Sequence, residues 1–291
     1  MKARVEKEMP LWEFLMNGFI TASRTTVKNR ITHGNVKVNG RMVTNPASVV
    51  HPEDVVEYSR QIIRQNKVSP PFPVLFEDDA ILVAEKPAGL LTIGDKGLGG
   101  TSFYQVMQGY VKEASRGKER LFVVHRLDRE VSGLLLFAKG EAFQEKIKEG
   151  WRETRKLYYA LVEGQPKEDQ GTIRSWLVEG HDQRVYSVGV QEGAKLGITH
   201  YRVMDRTEGY ALLEVELETG RKNQIRVHLS EMGCPVVGDR RYGADAQYER
   251  RIRLHAFYLS FPHPVSGQQV EFKSKMPKGF LVLKPGDEKY K

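Results

Sequence analysis

The 291-residue sequence predicts an α+β protein in two parts. Three observations carry this. Helical periodicity near the N-terminus gives way to a hairpin signal. A proline-rich stretch interrupts the chain near residue 70. Beyond it, apolar strand-like runs follow one another without regular helices between them, which favours an α+β domain over a doubly wound one.

The first part runs from residue 9 to residue 59. Leu11, Phe14 and Leu15 recur at i, i+3 and i+4, as on one face of a helix. Ser23 is placed to cap a second helix, whose inner face carries Val27 and Ile31 and which Gly34 ends. Arg24 and Lys28 lie four residues apart and share a face of that helix. In Val36-Lys37-Val38-Asn39-Gly40-Arg41-Met42-Val43, an Asn-Gly pair separates two alternating runs, the strongest short-range signal for a two-residue hairpin turn.

Residues 60–73 contain Pro70, Pro71 and Pro73, several basic residues and few apolar ones, and read as a linker. Extended proline-rich chain holds domains apart. Residues 74–283 form the second part. Its strand-like runs include Ile81–Ala84, Leu134–Ala138, Tyr158–Val162 and Ala211–Leu217, with a few amphipathic helices between. One such helix carries Ile225, His228, Leu229 and Met232 and is closed by Gly233. No internal repeat is visible, and the tail from Pro285 is charged.

Composition narrows the function classes. Apolar residues make up 40% and charged residues 28% of the chain, as in ordinary globular proteins. No apolar run reaches the eighteen or so residues of a membrane span, and residues 1–9 lack the apolar segment of a secretory signal. A single cysteine, Cys234, fits a reducing compartment, so the expected location is the cytoplasm. The net charge is +8, and residues 1–70 hold eleven Lys/Arg against six Asp/Glu, which is +5 of it. A basic segment suits a polyanionic partner, although a solvated surface gives the same count. The eight histidines show no zinc-binding spacing, so no metal is expected. Gly94–Gly100 lacks the Gly-Lys-Ser/Thr end of a phosphate loop and reads as a plain loop, and Cys234 as a buried, idle thiol.

Two sets of motifs resemble known families. Ser23-Arg24, Lys28, Ile31, Gly34, Val36, Val38-Asn39-Gly40 and Pro52-Glu53-Asp54 resemble the S4 RNA-binding domain. The resemblance implies RNA contacts by Arg24, Lys28, Lys37 and Arg41. His125-Arg126-Leu127-Asp128-Arg129 and the run through Leu136 resemble the central motif of pseudouridine synthases of the RluA type. Further matches fall in the family's order along the chain. Before it stand Glu77-Asp78-Asp79 and Lys86-Pro87-Ala88-Gly89-Leu90, and after it Lys156-Leu157-Tyr158-Tyr159-Ala160-Leu161-Val162, Thr219-Gly220-Arg221, Gln224-Ile225-Arg226-Val227-His228 and Pro235-Val236-Val237-Gly238-Asp239. Asn223 stands where many members have His, so no role is assigned to it.

The resemblance implies a mixed, largely antiparallel catalytic sheet and the conversion of uridine to pseudouridine in RNA, without a cofactor. That reaction breaks the N1–C1′ bond, turns the base and joins C5 to C1′. A carboxylate is competent at a sugar carbon. Asp128 is the implied catalytic group, whether by adding to C1′ or by promoting loss of the 2′ proton. By itself, an Asp in a polar loop between two apolar runs reads as a turn or cap residue. Arg226 is implied to stand against Asp128 and keep it ionised where desolvation opposes its charge. Tyr158 is implied to stack on the flipped uracil and accept the C5 proton, with Ile225 packing on the other side of the pocket. Arg126 is implied to fill the space the base vacates. Large-subunit ribosomal RNA is the favoured substrate and transfer RNA the alternative, with no obligate protein partner and no membrane. A non-catalytic RNA-binding or ribosome-assembly protein on the same scaffold is the rival from another class.

Overall fold

The computed structural model describes residues 1–18, 20, 22–32, 35–59, 68–94, 101–245 and 251–281. The expected helix stop at Gly34, the first part of the expected linker (60–67), the glycine-rich residues 95–100 and the tail from Pro285 lie outside the described residues. The chain divides into two compact units, Met1–Ser69 with Glu77–Asp79, and Pro70–Phe76 with Ala80–Lys291.

The first unit contains β1 (Lys2–Arg4), β2 (Met9–Pro10), α1 (Leu11–Met16), α2 (Arg24–Thr32), β3 (Val36–Val38), β4 (Arg41–Val43), β5 (Val49–Val50) and β6 (Val55–Tyr58). Four of these strands form an antiparallel sheet in the order β1-β6-β3-β4. Ser23 begins α2 as expected, its hydroxyl accepting the Thr26 amide at 3.3 Å. Asn39 and Gly40 both have positive φ, 51° and 78°, as a type I′ turn requires. Leu11, Leu15, Val27, Ile31, Val36 and Val56 are buried in one cluster. The unit starts earlier than residue 9, because Lys2–Arg4 pairs with Val55–Glu57.

The second unit contains β7 (Val74–Glu77), β8 (Ile81–Lys86), α3 (Phe103–Ala114), β9 (Phe122–Val123), β10 (Ser132–Ala138), α4 (Glu141–Glu149), β11 (Arg155–Glu163), β12 (Gln170–Glu179), β13 (Val185–Val188), β14 (Lys195–Thr207), β15 (Tyr210–Leu217), α5 (Gln224–Glu231), β16 (Leu254–Pro262) and β17 (Gln269–Lys273). Nine strands run β13-β12-β14-β15-β11-β16-β10-β8-β7, with β17 paired to β16 and β9 to β10. Outside the β7–β8 pair, the pairing is antiparallel except between β10 and β16, so the sheet is mixed and largely antiparallel. Every residue of β10 is buried, which is why its sequence is a continuous apolar run and not an alternating one. Phe72 packs on Phe103 with ring centroids 5.1 Å apart, and Pro73 accepts the Glu85 amide. The end of the expected linker is therefore part of this unit's packing and not free chain. No helix among the described residues is long and apolar enough to cross a membrane.

The parallel β10–β16 contact is short, pairing Ser132 with His255 and Gly133 with Ala256. Gly133 has φ 122°, and a Cβ there would lie 2.2 Å from the Ala256 carbonyl oxygen. Only glycine allows that approach. On the other side of β16, Ala256 is the partner of Tyr158 in β11, next to a bulge between Leu157 and Tyr158. A bulge re-aims the side chains beside it. Gly133, Ala256 and Tyr158 thus align three strands beside the loop that carries Asp128.

Candidate active site

Asp128 lies in the loop between β9 and β10, and neighbouring groups pin that loop. Thr92 donates its hydroxyl to the Leu127 carbonyl at 2.7 Å and accepts the Leu127 amide at 3.1 Å. The Gly89 amide donates to the Arg129 carbonyl, and Arg129 Nε returns a bond to the Gly89 carbonyl at 3.1 Å. The buried Lys86 ammonium donates to the carbonyls of Pro87, Leu90 and Arg129. Burial lowers its pKa to about 8 against the pull of Asp128 and Glu130. The Lys-Pro-Ala-Gly motif therefore serves as a clamp for the Asp128 loop. His125 accepts the Leu136 amide at Nε2, and burial with the nearby Lys156 charge drops its pKa to about 3, so it is neutral.

The guanidinium of Arg226, on α5, meets Asp128 at 3.4 Å through Nη1. Its closer partner is Asp239, reached by Nε at 2.5 Å and Nη2 at 2.8 Å. Nη1 also donates to Asn223 Oδ1 at 3.1 Å, and the group lies 5.0 Å over the Tyr242 ring. Burial opposes the Arg226 charge. The hydrogen bonds and charge of Asp239, with Asp128 and Glu130 behind them, outweigh it and raise the pKa. Asp128 has the opposite balance. Desolvation of its carboxyl raises the pKa, and Arg226 and Arg126 offset that only in part. The distances explain the difference, since a 3.4 Å contact is at the weak end of a hydrogen bond.

A cavity of about 320 Å³ opens on Asp128. Arg126, Tyr158, Ile225, Arg226 and Asn223 all line it, and Leu217 and Leu254 supply apolar wall. The cavity is large enough for a small ligand. Tyr158 and Ile225 are buried, and Arg126 is exposed at the rim. Burial and the Asp128 charge push the Tyr158 phenol pKa well above its ordinary value, so its resting form is neutral. The structure thus brings together all five of Asp128, Tyr158, Arg226, Arg126 and Ile225. Gln224 locks the turn before α5, donating to the Ile198 carbonyl and Thr199 Oγ1 and accepting from Thr219 Oγ1 and the Arg221 amide.

Two residues without an assigned role belong to this site. Asp239 is 1% exposed and holds Arg226 by two bonds. Its signal was its place in the Gly-Asp motif after α5. Asn223 takes a left-handed conformation, φ 54°, which asparagine tolerates better than most residues, and bridges Arg226 to the Tyr242 hydroxyl.

The four cations expected to contact RNA lie in the first unit and do not form one cluster. Arg24 sits 4.0 Å and Lys28 5.5 Å from the centroid of the Trp12 ring. Arg41 is exposed beside the hairpin turn, opposite Val38. Lys37 pairs across the sheet with Glu57, which itself binds Lys2 at 2.9 Å. By strand alternation Lys37 is on the face opposite to Val36 and Arg41.

Residues 80–231 match the RNA pseudouridylate synthase family, and residues 21–56 match the S4 domain. An uncharacterised RNA pseudouridine synthase of Chloroflexus aurantiacus is 37% identical, the match covering 93% of this chain and 87% of that protein. The ribosomal large subunit pseudouridine synthase D of Zymomonas mobilis is 31% identical, over 90% of this chain and 88% of its own. The solved structure of human RNA pseudouridylate synthase domain containing 4 superposes with a TM-score of 0.61 at 25% identity, covering 72% of this chain and 90% of that one.

Proposed function

We propose, from the premise that this chain belongs to the RNA pseudouridylate synthase family and is an RNA pseudouridine synthase, that it acts on uridines of large-subunit ribosomal RNA and that Asp128, Tyr158 and Arg226 carry the reaction. The observation that carries the residue assignment is the Asp128 carboxylate, 3.4 Å from a guanidinium already satisfied by Asp239, at the wall of a cavity shared with Tyr158. A carboxylate with a loosely held counter-charge keeps lone pairs free for the sugar. Arg226 stabilises its ionised form as substrate closes off water. The neutral ring of Tyr158 is suited to stacking on uracil, and Ile225 closes the other side. C5 must lose a proton and N1 must gain one. With the phenol neutral at rest, Tyr158 accepts the C5 proton only by passing its own on. Arg126, at the rim, is placed to fill the gap left in the RNA stack.

The first unit is proposed as the S4-type RNA-binding arm and residues 74–283 as the catalytic domain. Two features favour ribosomal RNA. The basic arm suits a large folded RNA, and synthase D relatives are named for the ribosomal large subunit. Such a substrate is met in the cytoplasm. The test is a transcriptome-wide pseudouridine map in cells with the gene, without it, and with Asp128→Asn. We expect large-subunit sites to vanish in both altered strains while Asp128→Asn protein still folds and binds RNA. Loss confined to transfer RNA sites would reassign the substrate. Normal modification by Asp128→Asn would overturn the role given to the carboxylate.

A further inference from the structure

Lys156 is a charged group that the reaction as described does not use. Its residue is 8% exposed, and it lines the Asp128 cavity. Its ammonium lies 5.3 Å from the centroid of the Trp151 ring. Among the described residues it has no hydrogen-bond or ion-pair partner. Its charge is felt at His125, which is neutral and so offers no counter-charge. Burying an unpaired ammonium is costly, and desolvation lowers its pKa accordingly. The other buried lysines of this unit are satisfied. Lys86 binds three carbonyls, and Lys139 pairs with Glu119 at 3.1 Å.

The position is specific. Lys156 and Tyr158 are two residues apart on β11 and both are buried, so they project from the same face, about 7 Å apart along the strand. The cavity lining as a whole carries Arg126, Lys156, Arg221, Lys222 and Arg226 against one carboxylate, Asp128. Arg221 is engaged with the Leu196 carbonyl, Lys222 with Glu179, and Arg226 with Asp239. A nucleotide with its base on Tyr158 and its sugar at Asp128 has a backbone phosphate as its next group outward. We infer that Lys156 binds a backbone phosphate of the flipped uridine, as the fixed anchor that keeps the ribose at Asp128 while the detached base turns.

This rests on the synthase reading and adds a requirement to it. Once N1–C1′ is broken, the base is no longer covalently held. C1′ must still stay within bonding distance of both the carboxylate and C5. An anchor on the phosphate fixes the sugar and leaves the base free, which base stacking alone does not do. A point charge on a strand, held against an indole face, suits a phosphate oxygen.

The experiment compares wild type, Lys156→Gln, Lys156→Met and Lys156→Arg on total RNA labelled with tritium at uridine C5 in cells lacking the gene, since pseudouridine formation releases that hydrogen. RNA affinity is measured against salt concentration in the Asp128→Asn background. We expect Lys156→Gln and Lys156→Met to lose about ten- to a hundredfold in kcat/KM, as for one charge-assisted hydrogen bond. The log–log salt slope should fall by about 0.7–0.9, one phosphate contact. Lys156→Arg should recover most of both, and the melting temperatures of Lys156→Gln and Lys156→Met should not fall. An unchanged slope with wild-type tritium release overturns the proposal. So does lost activity with an unchanged slope and a lowered melting temperature, which would make Lys156 a packing residue. Because total RNA is the probe, release from transfer RNA and not from ribosomal RNA refutes the substrate assignment and leaves this one standing.

Discussion

Arg24 and Arg226 are the same side chain in opposite circumstances. Arg24, in the first unit, is exposed and rests 4.0 Å over the face of Trp12. Arg226, in the second, is buried and held by two bonds from Asp239 before it meets Asp128. An exposed cation keeps its hydration and is screened by salt, so its interactions are weak and its reach is suited to phosphates. A buried cation is expensive unless paired, and once paired it becomes a rigid source of field. On the proposed function, the difference separates charges that capture a polyanion from charges that prepare one carboxylate.

The largest break in that comparison should come from Asp239→Asn. It leaves shape almost unchanged but removes the anion that neutralises Arg226. We expect a stability loss of about 3 kcal/mol, the low end for breaking a buried pair, because Asp128 and Asn223 still contact the guanidinium. Turnover should fall about a hundredfold, as for a small misplacement of a reacting group. Arg226 would be drawn toward Asp128, so the acid limb of the rate profile should move to lower pH. Denaturant melts and a pH–rate profile together decide this. A stable variant with an unmoved limb would show that Asp239 does not position Arg226.

A smaller effect concerns Asp128 itself. Burial raises its folded-state pKa above the ordinary 3.8. The folded protein therefore binds this proton more tightly than the unfolded chain. That contribution to stability is present below the unfolded pKa and is lost as pH rises through the folded one. Asp128→Asn, always neutral, should thus melt higher than wild type at neutral pH, with the gain closing as pH falls toward 3.8. A gain that grows on acidification would reverse the sign and mean that Arg226 dominates over desolvation. In the wild type, the acid limb of turnover should lie above the ordinary carboxylate range.

Local features of both units were legible in the sequence because they are set by neighbours along the chain. The I′ turn needs positive φ at Asn39 and Gly40, and α2 needs Ser23 at its start. Helix α3 carries a local signature too, the Ser102–Gln105 capping box at its start. Less legible was what depends on contacts distant in sequence. The parallel contact of β10 with β16 joins Gly133 to a strand more than a hundred residues later. The Arg226–Asp239 pair crosses a turn whose geometry no periodicity encodes. Motif order brought Asp128, Tyr158 and Arg226 to notice, but not which carboxylate Arg226 prefers. Lys156 stood in plain view in the tyrosine motif, and only its burial without a counter-charge marked it out.

The smallest effect tests the exposed half of the comparison. Trp12→Leu keeps apolar bulk against the core cluster but removes the π face under Arg24 and Lys28. Exposed cation–π contacts contribute about 0.5–1 kcal/mol each. RNA affinity should fall about two- to tenfold, but the charges remain, so the log–log salt slope should hold. Arg24→Gln with Lys28→Gln should do the reverse in kind, flattening the slope by about 1.4–1.8 for two lost phosphate contacts. In both variants the loss should fall on kcat/KM, and the single-turnover rate at saturating RNA should move little, because Asp128, Tyr158 and Arg226 are carried by the other unit. The measurement is binding and single-turnover kinetics at several salt concentrations. If Trp12→Leu flattened the slope as the double variant does, the ring would be holding the cations in place and not merely adding contact energy. If the saturated rate collapsed in either variant while the protein stayed folded, capture and chemistry would not be divided between the two units, and the contrast between Arg24 and Arg226 would be one of location only.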